Sequence, residues 1–265
     1  MTTDRTVLRT RAYPDSGNLG ARLSLYRYQR PAHDLPALVR DRVAGTEGAV
    51  LDVGCGTGRS VARLRAAWPG RPVVALDLST GILADVPPPS VASDAARLPF
   101  RAGAFGAVLA MHMLYHVANV DDAVAEGARV LAPDGAYLVS TNAATDKAEL
   151  TEVWQAAVAD VIGGPAAGRV SFSRRFALEQ APGVLGGRFA DVDVLPLRSV
   201  IEAPSAEPII DYFRSYLPTL DLPAGTAEPV LDAVRHRVTD RIGREGAFRI
   251  GCSAGLLVCK GAKRN

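Results

Sequence analysis

Three glycines on alternate positions, Gly54, Gly56 and Gly58, stand in the stretch V50-L51-D52-V53-G54-C55-G56-T57-G58-R59-S60. An apolar run precedes them and a helical pattern follows, so they mark a strand-to-helix turn, where a doubly wound fold places its ligand. Glycine lets the backbone come close to a ligand and turn tightly without a Cβ clash. The spacing discriminates among ligands. A triphosphate-binding loop needs G-x-x-x-x-G-K-[ST], but Gly54 and Gly58 are four apart and Arg59 follows. A dinucleotide turn needs G-x-G-x-x-G. Its third glycine would fall on Arg59 when counted from Gly54, and on Val61 when counted from Gly56.

What stands here is D52-x-G54-x-G56-x-G58, with an acid just before the turn. A carboxylate there repels a pyrophosphate and suits a ligand with a positive group near the turn. S-adenosylmethionine (SAM) is such a ligand, carrying an ammonium and a sulfonium and no phosphate. Asp77 ends the next strand about 20 residues on, where a carboxylate can accept both ribose hydroxyls. Asp94, in V91-A-S-D-A-A-R-L-P-F100, opens a loop after a third strand and can accept from an adenine amino group. A lone Asp at a strand end is usually a cap or turn former. Three acids at successive strand ends, together with the glycine turn, favour the binding reading.

Methyl transfer from a sulfonium is an in-line displacement, in which alignment of donor and acceptor supplies much of the catalysis. A hydroxyl acceptor profits from a general base, worth roughly 10²–10⁴-fold. His112, Tyr115 and His116 lie just past the fourth strand, so His116 or His112 is the candidate for a base or for orienting the acceptor. The plainer alternative is packing beside the cofactor. Their H-x-x-x-H spacing invites a zinc reading, but Met113 replaces the glutamate of H-E-x-x-H and no third ligand is evident; no metal is expected.

The elements that must position these groups follow from periodicity. Strands are expected at A49-V-L-D-V53, V73-V-A-L-D77, G106-A-V-L-A-M111, A136-Y-L-V-S-T141 and A190-D-V-D-V-L-P-L-R-S-V200. Helices are expected at 35–43, 60–68, 120–131, 150–162, 211–217 and 228–242, with Pro69-Gly70 and Pro133-Asp134-Gly135 as stops. This alternation predicts a largely parallel α/β sheet wound on both faces. F248-R-I-G-C-S-A-G-L-L-V-C259 has the shape of a terminal hairpin around Gly255.

The bulk properties agree with such a domain. The 265 residues are 48% hydrophobic and 22% charged, enough for an ordinary core. With 30 basic and 28 acidic residues the net charge is +2, and no basic patch argues for nucleic acid. Three cysteines without a CxxC, an N-terminus with no apolar leader and the absence of a long apolar run predict a reduced, cytoplasmic chain outside the membrane. Cys252 and Cys259 could face each other across the terminal hairpin, though no disulfide is expected. The oligomeric state leaves no readable trace.

Together, L51-D-V-G-C-G-T-G58, A75-L-D77, D94-A-A-R-L-P-F100, M111-H-M-L-Y-H-V117 and R129-V-L-A-P-D-G-A-Y-L-V139 resemble the class I SAM-dependent methyltransferases, in particular the ubiquinone-biosynthesis-type small-molecule branch. The resemblance covers residues 50–141 and implies a Rossmann-like, seven-stranded sheet with an antiparallel last strand. It implies one domain: an N-terminal helical cover over 1–46, a SAM-binding core over 47–141, substrate-side insertions over 142–247 and a terminal hairpin over 248–265. Asp52, Gly54, Cys55, Gly56 and Gly58 would form the methionine-end pocket, Asp77 would bind the ribose, and Leu78 would lie beside the adenine. Asp94 and Ala95 would contact the adenine edge, and Met111 would lie by the methionine moiety. His33, Tyr13, Tyr26 and Tyr28 would belong to the cover, while D211-Y-F-R-S-Y-L217, Trp154 and Phe172 would line the acceptor pocket or pack in the core.

Two local departures are Pro133-Asp134-Gly135 for the usual proline-glycine-glycine and Phe105-Gly106 for a common Phe-Asp. The function implied is methyl transfer from SAM to a small-molecule acceptor. The alternatives are an RNA methyltransferase, a SAM-binding protein without catalysis, and a nicotinamide-dependent oxidoreductase that the glycine spacing disfavours.

Overall fold

A computed structural model describes residues 2–163 and 175–263. The apolar runs become one mixed sheet: β1 (Gln29–Arg30), β2 (Val50–Val53), β3 (Val73–Asp77), β4 (Ser90–Ala92), β5 (Phe105–Met111), β6 (Leu131–Asn142), β7 (Phe189–Ala203) and β8 (Phe248–Ala262). Their spatial order is β1-β7-β8-β6-β5-β2-β3-β4. From β4 to β6 all pairings are parallel, and β8 runs antiparallel to both β6 and β7. The expected seven strands are therefore eight. The addition is β1, two residues of the N-terminal segment that pair antiparallel with the free edge of β7.

All four residues of β2 are buried, and so is β5 up to Ala110. Strands covered by helices on both faces read as unbroken apolar runs, which is why these two were recognisable. Pro133-Asp134-Gly135 does not stop the chain after the helix Val120–Val130. β6 begins at once, and its pairing with β5 jumps from Phe105↔Leu131 to Ala107↔Ala136. The irregularity absorbs the proline and glycine.

The expected terminal hairpin is absent, because β8 is one 15-residue strand. Gly255 lies mid-strand between Thr141 and Pro196, and a Cβ there would come 2.5 Å from a Leu178 methyl. The glycine serves a close approach rather than a turn. Cys252 and Cys259, seven residues apart on one extended strand, point to opposite faces and are both free.

A separate core knits the helices Ala148–Ile162, Glu207–Arg214 and Ala227–Glu245 to the ends of β7 and β8. Trp154 and Phe213 stack at its centre, with ring centroids 4.9 Å apart. Leu25, from the N-terminal segment, is fully buried in the same core.

That segment, with helices at Gly17–Ser24 and Leu35–Arg42, lies over the carboxyl ends of the central strands. The Ser79 hydroxyl donates to the Tyr13 carbonyl at 2.8 Å. Gly81 admits the cover, since a Cβ there would sit 1.9 Å from the Pro14 carbonyl oxygen. Among the described residues no helix is long and apolar enough to cross a membrane.

Candidate active site

The sheet order reverses between β2 and β5: β2 leads outward to β3 and β4, while β5 returns on its other side. The loops leaving these two strands therefore diverge and open a crevice at their carboxyl ends. The glycine turn leaves β2 into this crevice. Gly54 and Cys55 donate their N–H groups to the Leu76 carbonyl at 2.7 and 3.0 Å, fixing the turn against β3. Gly54, Gly56 and Gly58 have φ of +70°, +55° and +71°, values that L side chains rarely adopt. A Cβ on Gly54 would lie 2.7 Å from Met113, and one on Gly56 would lie 2.8 Å from Leu19 of the cover. Gly58 stands behind the turn as the N-cap of the helix Arg59–Ala67, outside the cavity lining.

Asp52 is 2% exposed, and its Oδ1 has no hydrogen-bond partner among the described residues. Burial, and then the negative charge of Asp77, push its carboxyl from 3.8 up to about 7. A buried, unsatisfied carboxylate is costly unless a ligand completes it. Its position before the turn gives a cation a place to sit.

Asp77 accepts the Gly56 N–H on Oδ2 and the Ser79 N–H on Oδ1, each at 3.0 Å. It is a turn former, yet each oxygen keeps a lone pair for a diol. Burial raises its pKa and these two N–H bonds lower it, with burial the larger effect. Leu78 follows it in the cavity wall, and Ala95, 7% exposed, lies across from it after β4. Asp94 accepts the Ala96 N–H at 2.9 Å and meets the Arg5 guanidinium of the cover. The loop behind it is anchored by Arg129, which bonds the Leu98 and Phe100 carbonyls and Glu126, while Glu126 accepts the Leu98 N–H. This explains the spacing between D94-A-A-R-L-P-F100 and R129.

Met111 ends β5 in the cavity wall, followed by His112 at φ +51°, whose N–H donates to Ser140. The turn Leu114–His116 then presents His116, whose Nε2 lies 3.0 Å from the Tyr13 hydroxyl of the cover. Its Nδ1 has no hydrogen-bond partner among the described residues. Burial, and then Arg22, lower the His116 pKa to about 3; burial, and then Lys147, lower that of His112 to about 4. Both rings are neutral at physiological pH. In that state Nε2 of His116 can accept the Tyr13 O–H.

One cavity of about 630 Å³ joins the glycine turn to these histidines. It is within the range of small-molecule sites, and the residues present fit SAM by two observations: an unsatisfied buried carboxylate and a cradle that a Cβ would fill. The structure brings Asp52, Gly54, Cys55, Gly56, Asp77, Leu78, Asp94, Ala95, Met111, His112 and His116 to this one cavity. Tyr13, Tyr26 and His33 line it as well, whereas Tyr28 packs against the helical core. From D211-Y-F-R-S-Y-L217, Tyr212 and Tyr216 face the cavity and Phe213 does not. Trp154 is fully buried in the helical core, so it is not an acceptor-pocket residue. Phe172 lies outside the described residues.

Sequence reasoning missed two buried cations in the wall. Lys147, at φ +57° and 3% exposed, meets Asp146 at 2.5 Å and the Tyr26 ring at 5.1 Å. Arg22, on the cover helix, is 5% exposed. No local signal marks either, since arginines and lysines are ordinarily surface residues.

A family described as a methyltransferase domain matches residues 51–139. The chain is 29% identical over 224 residues to malonyl-[acyl-carrier protein] O-methyltransferase of Geobacter sulfurreducens, covering 80% of each. It is 43% identical over 95 residues to demethylmenaquinone methyltransferase of Mycobacterium tuberculosis, a match spanning 34% of this chain and only 39% of that relative. Its fold is similar to phosphoethanolamine N-methyltransferase 2 of Haemonchus contortus, solved with SAM, at 19% identity and a TM-score of 0.58 over 98% of this chain and 60% of that one. With the glycine turn and the sheet order, the methyltransferase domain over residues 51–139 and these relatives support a class I SAM-dependent methyltransferase.

Proposed function

We propose that this chain transfers the methyl group of SAM to a small-molecule acceptor held between His116 and the tyrosines of the cover and of residues 212–216. The observation that carries this reading is the single cavity in which an unsatisfied buried Asp52 and the glycine cradle lie at one end and His112 and His116 at the other. SAM, when bound, supplies an activated methyl group on a sulfonium. Asp52 holds the ammonium, Asp77 accepts from the ribose hydroxyls, and Leu78, Asp94 and Ala95 frame the adenine. Met111 and Met113 line the path between the two ends.

His116 is neutral and hydrogen-bonded to Tyr13, which suits it to orient an acceptor through that hydroxyl more than to carry a proton away. The cover, fastened at Tyr13 and Pro14, excludes water from the transfer.

The test is incubation with methyl-labelled SAM and a small-molecule metabolite extract, with bulk RNA as a parallel arm. Extract-dependent formation of S-adenosylhomocysteine (SAH) is expected. SAH formed only with RNA, or SAM bound with no acceptor-dependent turnover in any extract, would refute the proposal. A His116→Ala chain with unchanged turnover would remove that residue from the mechanism.

A further inference from the structure

Two basic side chains are buried among the described residues, and they differ in one respect. Lys147 has its acid, Asp146, at 2.5 Å; Arg22 makes no ion pair among the described residues. The Arg22 guanidinium is instead held by dipoles and rings. Nε donates to the Ser215 hydroxyl at 3.1 Å and Nη2 to the Ser215 carbonyl at 2.8 Å. The guanidinium carbon lies 3.8 Å from the centroid of Tyr216 and 5.0 Å from that of Tyr13.

None of these contacting groups supplies negative charge. Burial raises the pKa of both phenols, so they stay protonated, and His116 is neutral. The side chain nevertheless lines the cavity. A permanently charged group buried without a counter-ion is expensive. The planar fork of guanidinium also matches the two oxygens of a carboxylate or phosphate.

We propose that Arg22 is the recognition site for an anionic group, a carboxylate or a phosphate, on the methyl acceptor. This rests on the methyl-donor reading of the same cavity and adds the charge class of its acceptor. The contacts of Arg22 come from the acceptor side. Ser215 and Tyr216 follow the helix Glu207–Arg214, and Tyr13 bridges to His116. The acids of the cavity floor, Asp52 and Asp77, stand at the glycine turn, where the cationic end of the donor belongs. An acceptor anion seated on Arg22 would be presented beside the Tyr13–His116 pair, between two aromatic faces that favour a flat molecule.

The test uses the full chain saturated with SAH and titrated calorimetrically with benzoate and phenyl phosphate, and with benzamide as the neutral isostere. At least one anion is expected to bind, about tenfold or more tighter than benzamide. Arg22→Met should abolish that preference while its SAH affinity stays within about threefold of the parent, and Arg22→Lys should restore part of it. Arg22→Met that loses SAH affinity about tenfold but keeps anion binding would assign the guanidinium to the carboxylate of the donor and overturn the proposal.

Benzamide bound as tightly as the anions, or no anion bound at all, would overturn it on the unmodified chain alone, even if Arg22→Met fails to fold. A parent chain that binds no SAH would refute the underlying donor reading, and this proposal with it. SAH binding without anion binding refutes only the proposal.

Discussion

Replacing Asp52 by Asn separates the stability of the empty site from its affinity. The two side chains have the same shape, so the register of β2 with Ala75 and Leu109 is kept. Burial and Asp77 hold the Asp52 carboxyl at about 7 instead of 3.8. The native state therefore binds a proton here that the unfolded chain has already lost between pH 4 and 7. By linkage, the contribution of Asp52 to stability falls as pH rises through that window and stays low above it. At about 1.4 kcal/mol per tenfold, the cost at pH 8 has a ceiling of roughly 4 kcal/mol. Asn must still bury an unpartnered amide, at about 1 kcal/mol or more.

The net expectation is an Asp52→Asn chain about 1–3 kcal/mol more stable at pH 8, or roughly 3–8 °C in Tm. The gain should shrink to nothing near pH 4. His112 and His116, lowered to about 4 and 3, impose the opposite slope. The stability they contribute above pH 6.5 is lost as pH falls toward those values. They are common to both chains and cancel in the difference.

The same substitution removes the charge-assisted hydrogen bond proposed between Asp52 and the donor ammonium, worth about 1.5–3 kcal/mol, so SAH should bind roughly 10- to 100-fold more weakly. Thermal unfolding without ligand across pH 4–8, paired with calorimetric SAH titration at pH 8, reads both quantities. An Asn variant no more stable than the parent at pH 8, or one that binds SAH within about threefold of it, would refute the reasoning.

Gly54→Ala forces a Cβ to 2.7 Å from Met113 at φ +70°, and should weaken SAH binding by about tenfold or more with about 1–3 kcal/mol of lost stability. Because His116 is already neutral, the pH profile of turnover should show no limb near pH 6.5 that His116→Gln removes; finding one would show that the imidazole titrates as a base. Trp154→Ala should cost about 3–5 kcal/mol in denaturant unfolding, from the cavity it leaves beside Phe213, with SAH affinity unchanged in the folded fraction. A selective effect on acceptor affinity instead would return Trp154 to the acceptor pocket.

Local sequence was enough to find the residues proposed for the donor end of the cavity. The acid and glycines of the β2 turn, Asp77 and Asp94 are each short-range features, since a strand end, a left-handed backbone and a carboxylate one residue before a turn are all written within a few positions. The buried runs of β2 and β5 announced themselves by composition for the same reason. Gly255 marks the limit of that method. A glycine in an apolar run serves a turn or a close contact equally well, and only the approach of Leu178 decided for the contact and made one long β8 from an expected hairpin.

The residues proposed for the acceptor half were brought together by tertiary packing. Trp154 and Tyr212 carry the same aromatic signal in sequence and share the helical core, yet only Tyr212 also reaches the cavity. Arg22, Ser215 and Tyr216 meet across nearly two hundred residues, and Arg22 looked like any surface arginine. Whether a side chain is solvated or buried without a counter-ion depends on what the rest of the fold places around it, and no spacing rule encodes that.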